Sequence, residues 1–258
     1  MQSCWITGAS SGIGRASSIA FVKRGYTVLA SSRSLNDLSL LKKECEGLSY
    51  SGKIIPLPMD VTSIREINKA LKYIKENIKN LDYVIFNAGT YIRENSKNIT
   101  VSNTKLTMDL NFTAVINNII LLQPYFSILK IKQIAVVSSI AGWRGMPMAA
   151  AYCSSKAAIK TAIESFSIDY SEEDISFRLF APGFVETPLT KKNDFKMPFI
   201  IKAEEAGERI YNGIKYSKKF EICFPIKFAL IMKIISVLPW PIYKWIMIKK
   251  SNKPNYYQ

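Results

Sequence analysis

Ser139, Tyr152 and Lys156 are the residues whose types and spacing could carry chemistry in this chain: the serine lies thirteen positions before the tyrosine and the lysine four after it. Around them the sequence reads VVSSIAGWRGMPMAAAYCSSKAAIKTAIESF. An apolar strand-like run ends at Ser138-Ser139, a Gly-containing loop follows, and an Ala-rich helical pattern begins. Residues four apart share a helix face, so a phenol, an ammonium and a hydroxyl could converge at one point. The chain contains no histidine, so a proton donor must be of another type. Tyrosine normally titrates near ~10. A nearby cation favours the phenolate, and Lys156 is expected to lower the value for Tyr152 toward useful acid/base range. Taken alone, a Tyr-x-x-x-Lys pair also fits a solvated helix with no function.

The elements that must position these groups begin at the amino terminus. Gln2–Thr7 is a strand candidate, followed by Gly8-Ala9-Ser10-Ser11-Gly12-Ile13-Gly14 and then a helical run from Arg15. Gly8 permits a sharp turn, Gly12 lets the backbone approach a pyrophosphate, and Gly14 allows close packing of helix on strand. The helix N-terminus offers free N–H groups and the positive end of its dipole to phosphates. Further strand candidates are Thr27–Ser31, Ile54–Pro58, Tyr83–Asn87, Gln133–Ser138, Ser176–Ala181 and Phe220–Phe224. Helical patterns lie near 13–24, 35–47, 63–78, 101–129, 151–170 and 203–216. This alternation predicts an α/β fold, a doubly wound parallel sheet of about seven strands flanked by helices. One such domain is expected over 1–225, with 226–258 as a C-terminal apolar and basic extension.

On these motifs the chain resembles the short-chain dehydrogenase/reductase family, in its compact subgroup, over about residues 2 to 225. The resemblance rests on Thr7 to Gly14, on Asn87-Ala88-Gly89 after the fourth strand, and on Asn111 within Met-Asp-Leu-Asn-Phe. Ser139, Tyr152 and Lys156 match the family's catalytic trio, and Pro182-Gly183-Phe184-Val185-Glu186-Thr187 its Pro-Gly segment. The resemblance implies a Rossmann-type fold and hydride transfer between a nicotinamide cofactor and a carbonyl/alcohol pair. It implies that Lys156 bonds the nicotinamide ribose and tunes Tyr152, and that Tyr152 gives its proton to the carbonyl oxygen or takes it back. Ser139 then stabilises charge on that oxygen, with neighbouring Ser138 a rival for the role. Asn111 is expected to hold a water linking Lys156 to solvent, and Val185 and Thr187 to orient the carboxamide. Asp60-Val61 resembles the adenine-contacting pair. Dimers or tetramers through helices near 101–129 and 151–170 are also implied. The alternative class is a catalytically silent dinucleotide-binding regulatory or scaffold protein of the same fold.

Cofactor preference can be read from the second strand, which ends Leu29-Ala30-Ser31-Ser32-Arg33. An acidic residue there would bond the ribose hydroxyls and suit NAD, whereas an arginine accommodates a 2′-phosphate. Ser32 stands where the acid would be and Arg33 follows, so NADP is expected over NAD. The loop Trp143–Met148 and the segment Leu189–Ile201 are expected to wall the substrate pocket. Their bulky groups Trp143, Met146, Met148, Phe195, Met197 and Phe199 suit a lipophilic carbonyl compound or alcohol, although they could equally pack under loops. The chain ends its last strand Phe-Glu-Ile-Cys-Phe-Pro, without the Asp-Gly-Gly of the family's acyl-carrier-protein reductases, which disfavours that activity.

The extension is apolar, interrupted by Lys227, Lys233 and Lys244, and Pro239 and Pro241 break any single helix. No uninterrupted stretch reaches the ~18–20 apolar residues that spanning needs. Trp240, Tyr243 and Trp245 suit a membrane interface. A flap over the pocket and a subunit contact are the other readings. The net charge is +15, from 35 Lys+Arg and 20 Asp+Glu, but the lysines are scattered and no nucleic-acid module is visible. Cys4, Cys45, Cys153 and Cys223 show no metal-like spacing, and core packing is expected of them. A strand starting at Gln2 leaves no room for a signal peptide, so a cytoplasmic protein is expected, peripheral on the cytoplasmic membrane face if the extension binds lipid.

Overall fold

A computed structural model describes residues 2–251. Seven strands form one sheet: β1 Ser3–Thr7, β2 Thr27–Ser31, β3 Lys53–Pro56, β4 Tyr83–Phe86, β5 Gln133–Val137, β6 Ser176–Pro182 and β7 Glu221–Phe224. Their order is β3-β2-β1-β4-β5-β6-β7, and every pairing is parallel. The helices between them are α1 Gly12–Val22, α2 Leu35–Gly47, α3 Ile64–Asn77, α4 Val101–Met108, α5 Ala114–Leu122, α6 Ala150–Asp169 and α7 Ala203–Tyr216. Beyond β7 lie α8 Ile226–Ser236 and α9 Trp240–Ser251.

Helices cover both faces, so the central strands are apolar on both sides and buried throughout. Side-chain alternation divides the core into two layers. Trp5, Val84, Phe86, Ile134 and Val136 face α3, α5 and α6. Cys4, Ile6, Ile85, Ala135 and Val137 face α1, α2 and α7. Helix starts follow capping chemistry: Ser34, Ser63 and Thr100 accept from the backbone N–H of Asp37, Glu66 and Asn103. On α3 the buried residues Ile67, Ala70, Leu71 and Ile74 form one stripe at helical spacing.

The long helical pattern near 101–129 is not one helix. Between α4 and α5 the turn widens to a π-helix at Asp109–Thr113, and Pro124 sits in a 3-10 turn at Gln123–Tyr125. The proline breaks are where the sequence places them, with α8 ending at Ser236 and α9 beginning at Trp240. The carboxyl-terminal ends of β1 and β4 are neighbours from which the chain winds outward in opposite directions. That switch point is where open α/β sheets hold ligands.

Candidate active site

The turn from β1 into α1 is built on glycine. Gly8 and Gly12 have φ of 67° and 53°, a region that side-chain-bearing residues avoid. A Cβ on Gly14 would lie 2.3 Å from the Gly8 carbonyl oxygen and 2.5 Å from Asn87 Nδ2. Helix α1 therefore closes directly onto the turn, and the turn onto β4. The Thr7 hydroxyl accepts from the N–H groups of Asn87 and Ala88 at 3.0 and 3.2 Å. Asn87 Nδ2 donates back to the Thr7 and Gly8 carbonyls at 3.1 and 3.3 Å. Ser11 precedes α1 in extended conformation with no side-chain cap, so the first N–H groups of the helix are left for an outside acceptor. Ser10 and Ile13 are half-buried beside this turn.

Opposite Gly12 stands Thr187: a Cβ on Gly12 would come within 3.0 Å of its methyl group. The segment carrying Thr187 is fixed at both ends. Val185 forms a parallel bridge with Ile201, and the Thr190 hydroxyl donates to the Val185 carbonyl at 2.5 Å and accepts from the Thr187 N–H at 3.0 Å. Pro182 ends β6, and the Gly183 N–H donates to the Phe224 carbonyl at 2.7 Å. The glycine turn and the Val185–Thr187 segment thus lie side by side, with the uncapped N-terminus of α1 beside them as the place for a dinucleotide pyrophosphate. A groove along α1, lined by Arg15, Lys23, Lys191 and Glu204, also abuts Gly12 and Thr187, but Asn111, Ser139, Tyr152 and Lys156 are not part of it.

Those groups meet at the ends of β4 and β5 and the start of α6. Lys156 is 6% exposed, and its ammonium donates to the Val137 carbonyl at 3.1 Å and lies 5.8 Å from the Tyr152 ring centroid. Gly89 closes the pocket behind it: a Cβ there would sit 3.5 Å from Lys156 Nζ and 3.0 Å from Asn111 Oδ1. Asn111 is buried within the π turn. Its Oδ1 accepts from the Thr90 N–H at 2.7 Å, and its Nδ2 donates to the Thr90 carbonyl at 2.9 Å and Ser155 Oγ at 3.0 Å. The two serines have separate partners. Ser138 donates to the Lys156 carbonyl at 3.1 Å, which ties the strand to α6. The Ser139 hydroxyl donates to the Pro182 carbonyl at 3.3 Å and accepts from the Ala141 N–H at 3.1 Å, and it is close enough to the Tyr152 phenol to favour its ionised form.

Electrostatics differ from the sequence expectation. Burial pushes the Tyr152 phenol up to about 12, and the hydrogen bond to Ser139 offsets only part of this. Burial also draws the Lys156 ammonium down to about 8. The expected lowering of Tyr152 by Lys156 is thus corrected here: burial sets the direction, and Ser139 is the group that opposes it. At neutral pH the pair is a neutral phenol beside a largely protonated amine.

On the opposite side of β1 from these groups, β2 delivers Ser32, which is 9% exposed and donates to the Ser34 carbonyl at 3.3 Å, and then the exposed Arg33. Asp60 feels the Arg33 charge. Burial raises its carboxyl, but hydrogen bonds from the Thr62 N–H and hydroxyl outweigh that and hold it below the usual range. Val61 is buried and accepts from Asn118 Nδ2 at 3.0 Å. Arg15, the guanidinium at the start of α1, is committed to Glu44.

Sequence reasoning missed three supporting residues. Ser155 is fully buried, donates to the Tyr152 carbonyl at 2.8 Å and links it to Asn111. Tyr91 sets its ring 5.0 Å from that of Tyr152. Thr190 ties down the Val185–Thr187 segment. The sequence carried a signal for Ser155 alone, since a hydroxyl one residue before Lys156 inside a helix invites a backbone bond.

Two expected pocket walls are also corrected. Trp143 and Met146 turn away into a cluster with Ile140, Ala181, Phe228 and Met232, because α8 packs on that loop. Trp143 Nε1 donates to Glu221 at 2.7 Å. Phe195 packs on Phe184, and Phe199, 46% exposed, lies near Phe228. The extension accordingly docks on the loop between Ser139 and Tyr152. Arg144 donates to the Ser236 and Leu238 carbonyls at 2.7 and 2.6 Å, and the Tyr243 hydroxyl donates to the Gly145 carbonyl at 2.5 Å.

The model of the short chain dehydrogenase family matches residues 2–197. An uncharacterized oxidoreductase of Myxococcus xanthus is 31% identical over 238 residues, covering 92% of this chain and 93% of its own. A 3-oxoacyl-[acyl-carrier-protein] reductase of Thermotoga maritima is 31% identical over 189 residues, 73% of this chain and 76% of its own. Among solved structures, an alcohol dehydrogenase from Thermococcus sibiricus complexed with 5-hydroxy-NADP superposes with a TM-score of 0.78 at 22% identity, over 87% of this chain and 96% of that one. A Burkholderia phymatum family member in complex with NAD gives 0.79 at 15% identity, over 98% and 96%. The glycine turn, the Asn-Ala-Gly corner and the match over most of its length make this chain a member of the short-chain dehydrogenase family, the oxidoreductases that work with a nicotinamide dinucleotide.

Proposed function

We propose that this protein is an NADPH-dependent reductase of lipophilic ketones or aldehydes, with Tyr152 as its general acid. The observation that carries the reading is the convergence of Ser139, Tyr152, Lys156 and Asn111 beside Gly89, on one side of the glycine turn, with Ser32 and Arg33 on the other. A nicotinamide dinucleotide, when bound, supplies the hydride. The chain's own groups manage the proton and the charge. Tyr152 donates its hydroxyl proton to the carbonyl oxygen, and Ser139 hydrogen-bonds the same oxygen as charge develops. Lys156, whose ammonium donates to the Val137 carbonyl, would bond the nicotinamide ribose of a bound dinucleotide. Asn111, anchored through Thr90 and Ser155, holds the wall against which Lys156 lies. Ser32 offers no carboxylate to a 2′-phosphate and Arg33 offers a guanidinium, which supports NADP over NAD. Tyr91, whose ring lies 5.0 Å from that of Tyr152, sets an aromatic face beside the proton donor and supports a lipophilic substrate.

The test is NADPH consumption with a panel of aryl and alkyl ketones and aldehydes, an acetoacetyl thioester among them, scored against alcohol formed. Turnover on lipophilic carbonyls supports the reading. Turnover confined to the thioester favours the acyl-carrier activity, and NADPH binding with no turnover on any member favours a silent scaffold. The pH profile adds a second check. Reduction needs Tyr152 protonated and Lys156 charged, so kcat should be level at neutral pH and fall as pH rises past the Lys156 value of about 8. A rate that stays level well above that value would remove Lys156 from the reaction.

Homo-oligomers through α4, α5 and α6 belong to the same proposal. Leu106, Ile120 and Ile168 on these helices are 52%, 50% and 71% exposed, a large apolar cost for a lone subunit.

A further inference from the structure

We infer that α8 and α9 lie in the plane of an anionic bilayer, with their outer faces inserted in the headgroup region. Helix α8 is apolar on two sides. Its inner side packs: Phe228, Ala229 and Met232 are buried against Ile140 and Ala181, and a Cβ on Gly183 would lie 2.6 Å from the Phe228 ring. Its outer side carries Ile226, Leu230, Ile234 and Val237, spaced to form one stripe, at 62%, 61%, 65% and 74% exposure. Helix α9 repeats the arrangement. Tyr243 is buried under Arg144, while Trp240, Ile242, Trp245 and Ile248 are exposed. Both helices thus carry an exposed apolar face that the fold leaves uncovered.

Charge selects the occupant. From Ile222 to Gln258 the chain contains no aspartate or glutamate, and it contains six lysines. Among them Lys227, Lys233, Lys244 and Lys249 are exposed on the same helices. A second copy of these faces would bring these like charges together with no carboxylate to meet them. An anionic lipid surface meets every one, and interfacial tryptophans beside lysines suit the headgroup region. Among the described residues no helix is long and apolar enough to cross a membrane, so the segment lies on the surface rather than through it. Arg144, Trp143 and Tyr243 join the extension to the loop leading into Tyr152, and so the pocket mouth is placed near the lipid. That last step rests on the proposed function; the membrane contact itself does not.

Co-sedimentation tests it with the full chain and vesicles of equal parts phosphatidylglycerol and phosphatidylcholine. The protein should pellet with these vesicles, far less with phosphatidylcholine alone, and less as salt rises. The double variant Leu230→Glu, Ile234→Glu changes only the outer stripe. It should lose at least tenfold in partitioning while its melting temperature and its turnover of a water-soluble ketone stay as in the parent. Should that variant melt early, Lys227→Gln and Lys244→Gln serve instead, each weakening partition by about fivefold. A parent protein left in the supernatant of anionic vesicles at low salt overturns the inference. So does a double variant that pellets like the parent. A double variant of smaller sedimenting mass, from a parent that ignores vesicles, would make these faces a contact between copies and likewise overturn it. Because pelleting needs no turnover, failure here and failure of the reductase reading are told apart.

Discussion

Replacing Tyr152 by phenylalanine should reduce kcat for carbonyl reduction by about 10²–10⁴. The change keeps the ring, whose centroid lies 5.0 Å from that of Tyr91, and removes only the hydroxyl. Fold and dinucleotide affinity should therefore survive, as melting and NADPH titration would report. The neutral phenol sits where burial has raised it to about 12, so it holds its proton firmly until a developing alkoxide demands it. The chain has no histidine, and the Lys156 ammonium is engaged with the Val137 carbonyl, so the lost proton has no ready substitute. A variant that kept near-parental turnover would move the proton donor elsewhere.

Arg33→Ala should weaken NADPH binding by about 10–100-fold, the worth of charge-assisted hydrogen bonds to a phosphate, and leave NADH binding near its parental value. The side chain is exposed beside the buried Ser32 hydroxyl, and its nearest influence is on Asp60, whose carboxylate Thr62 already holds. Removing it disturbs no packed group. Titrating both nucleotides against parent and variant by fluorescence measures the difference. Equal losses for the two, or a parent that prefers NADH, would contradict the reading of β2.

Much of this site was legible in the sequence because local geometry dictates the residue types. Gly14 and Gly8 answer to backbone contacts as close as 2.3 and 2.8 Å, and Gly12 to a φ of 53° that side-chain-bearing residues avoid. The Ser139, Tyr152 and Lys156 spacing follows from one strand end, one loop and one helix. What could not be read came from long-range packing. The π turn that swings Asn111 against Thr90 has no composition of its own and was hidden in a continuous helical pattern. The pKa order of Tyr152 and Lys156 depends on burial, which pairwise spacing does not report. The apolar loop Trp143–Met148 looked like pocket wall, and half of it is instead the seat for α8. The extension left three readings open because an apolar, lysine-bearing segment suits lipid, subunit or pocket equally. The fold separates its two faces, so that one packs and the other is exposed.

The account rests on direct transfer to a carbonyl carbon while Tyr152 supplies the proton. The measurement that tests it most directly is reduction of a lipophilic ketone with NADPH deuterated at the transferable position of C4, followed by mass spectrometry of the alcohol. The account predicts one deuterium on the carbinol carbon, at full yield with the parent protein and a trace with Tyr152→Phe. An alcohol without the label, or the absence of any alcohol across the carbonyl panel while NADPH binds, would contradict it.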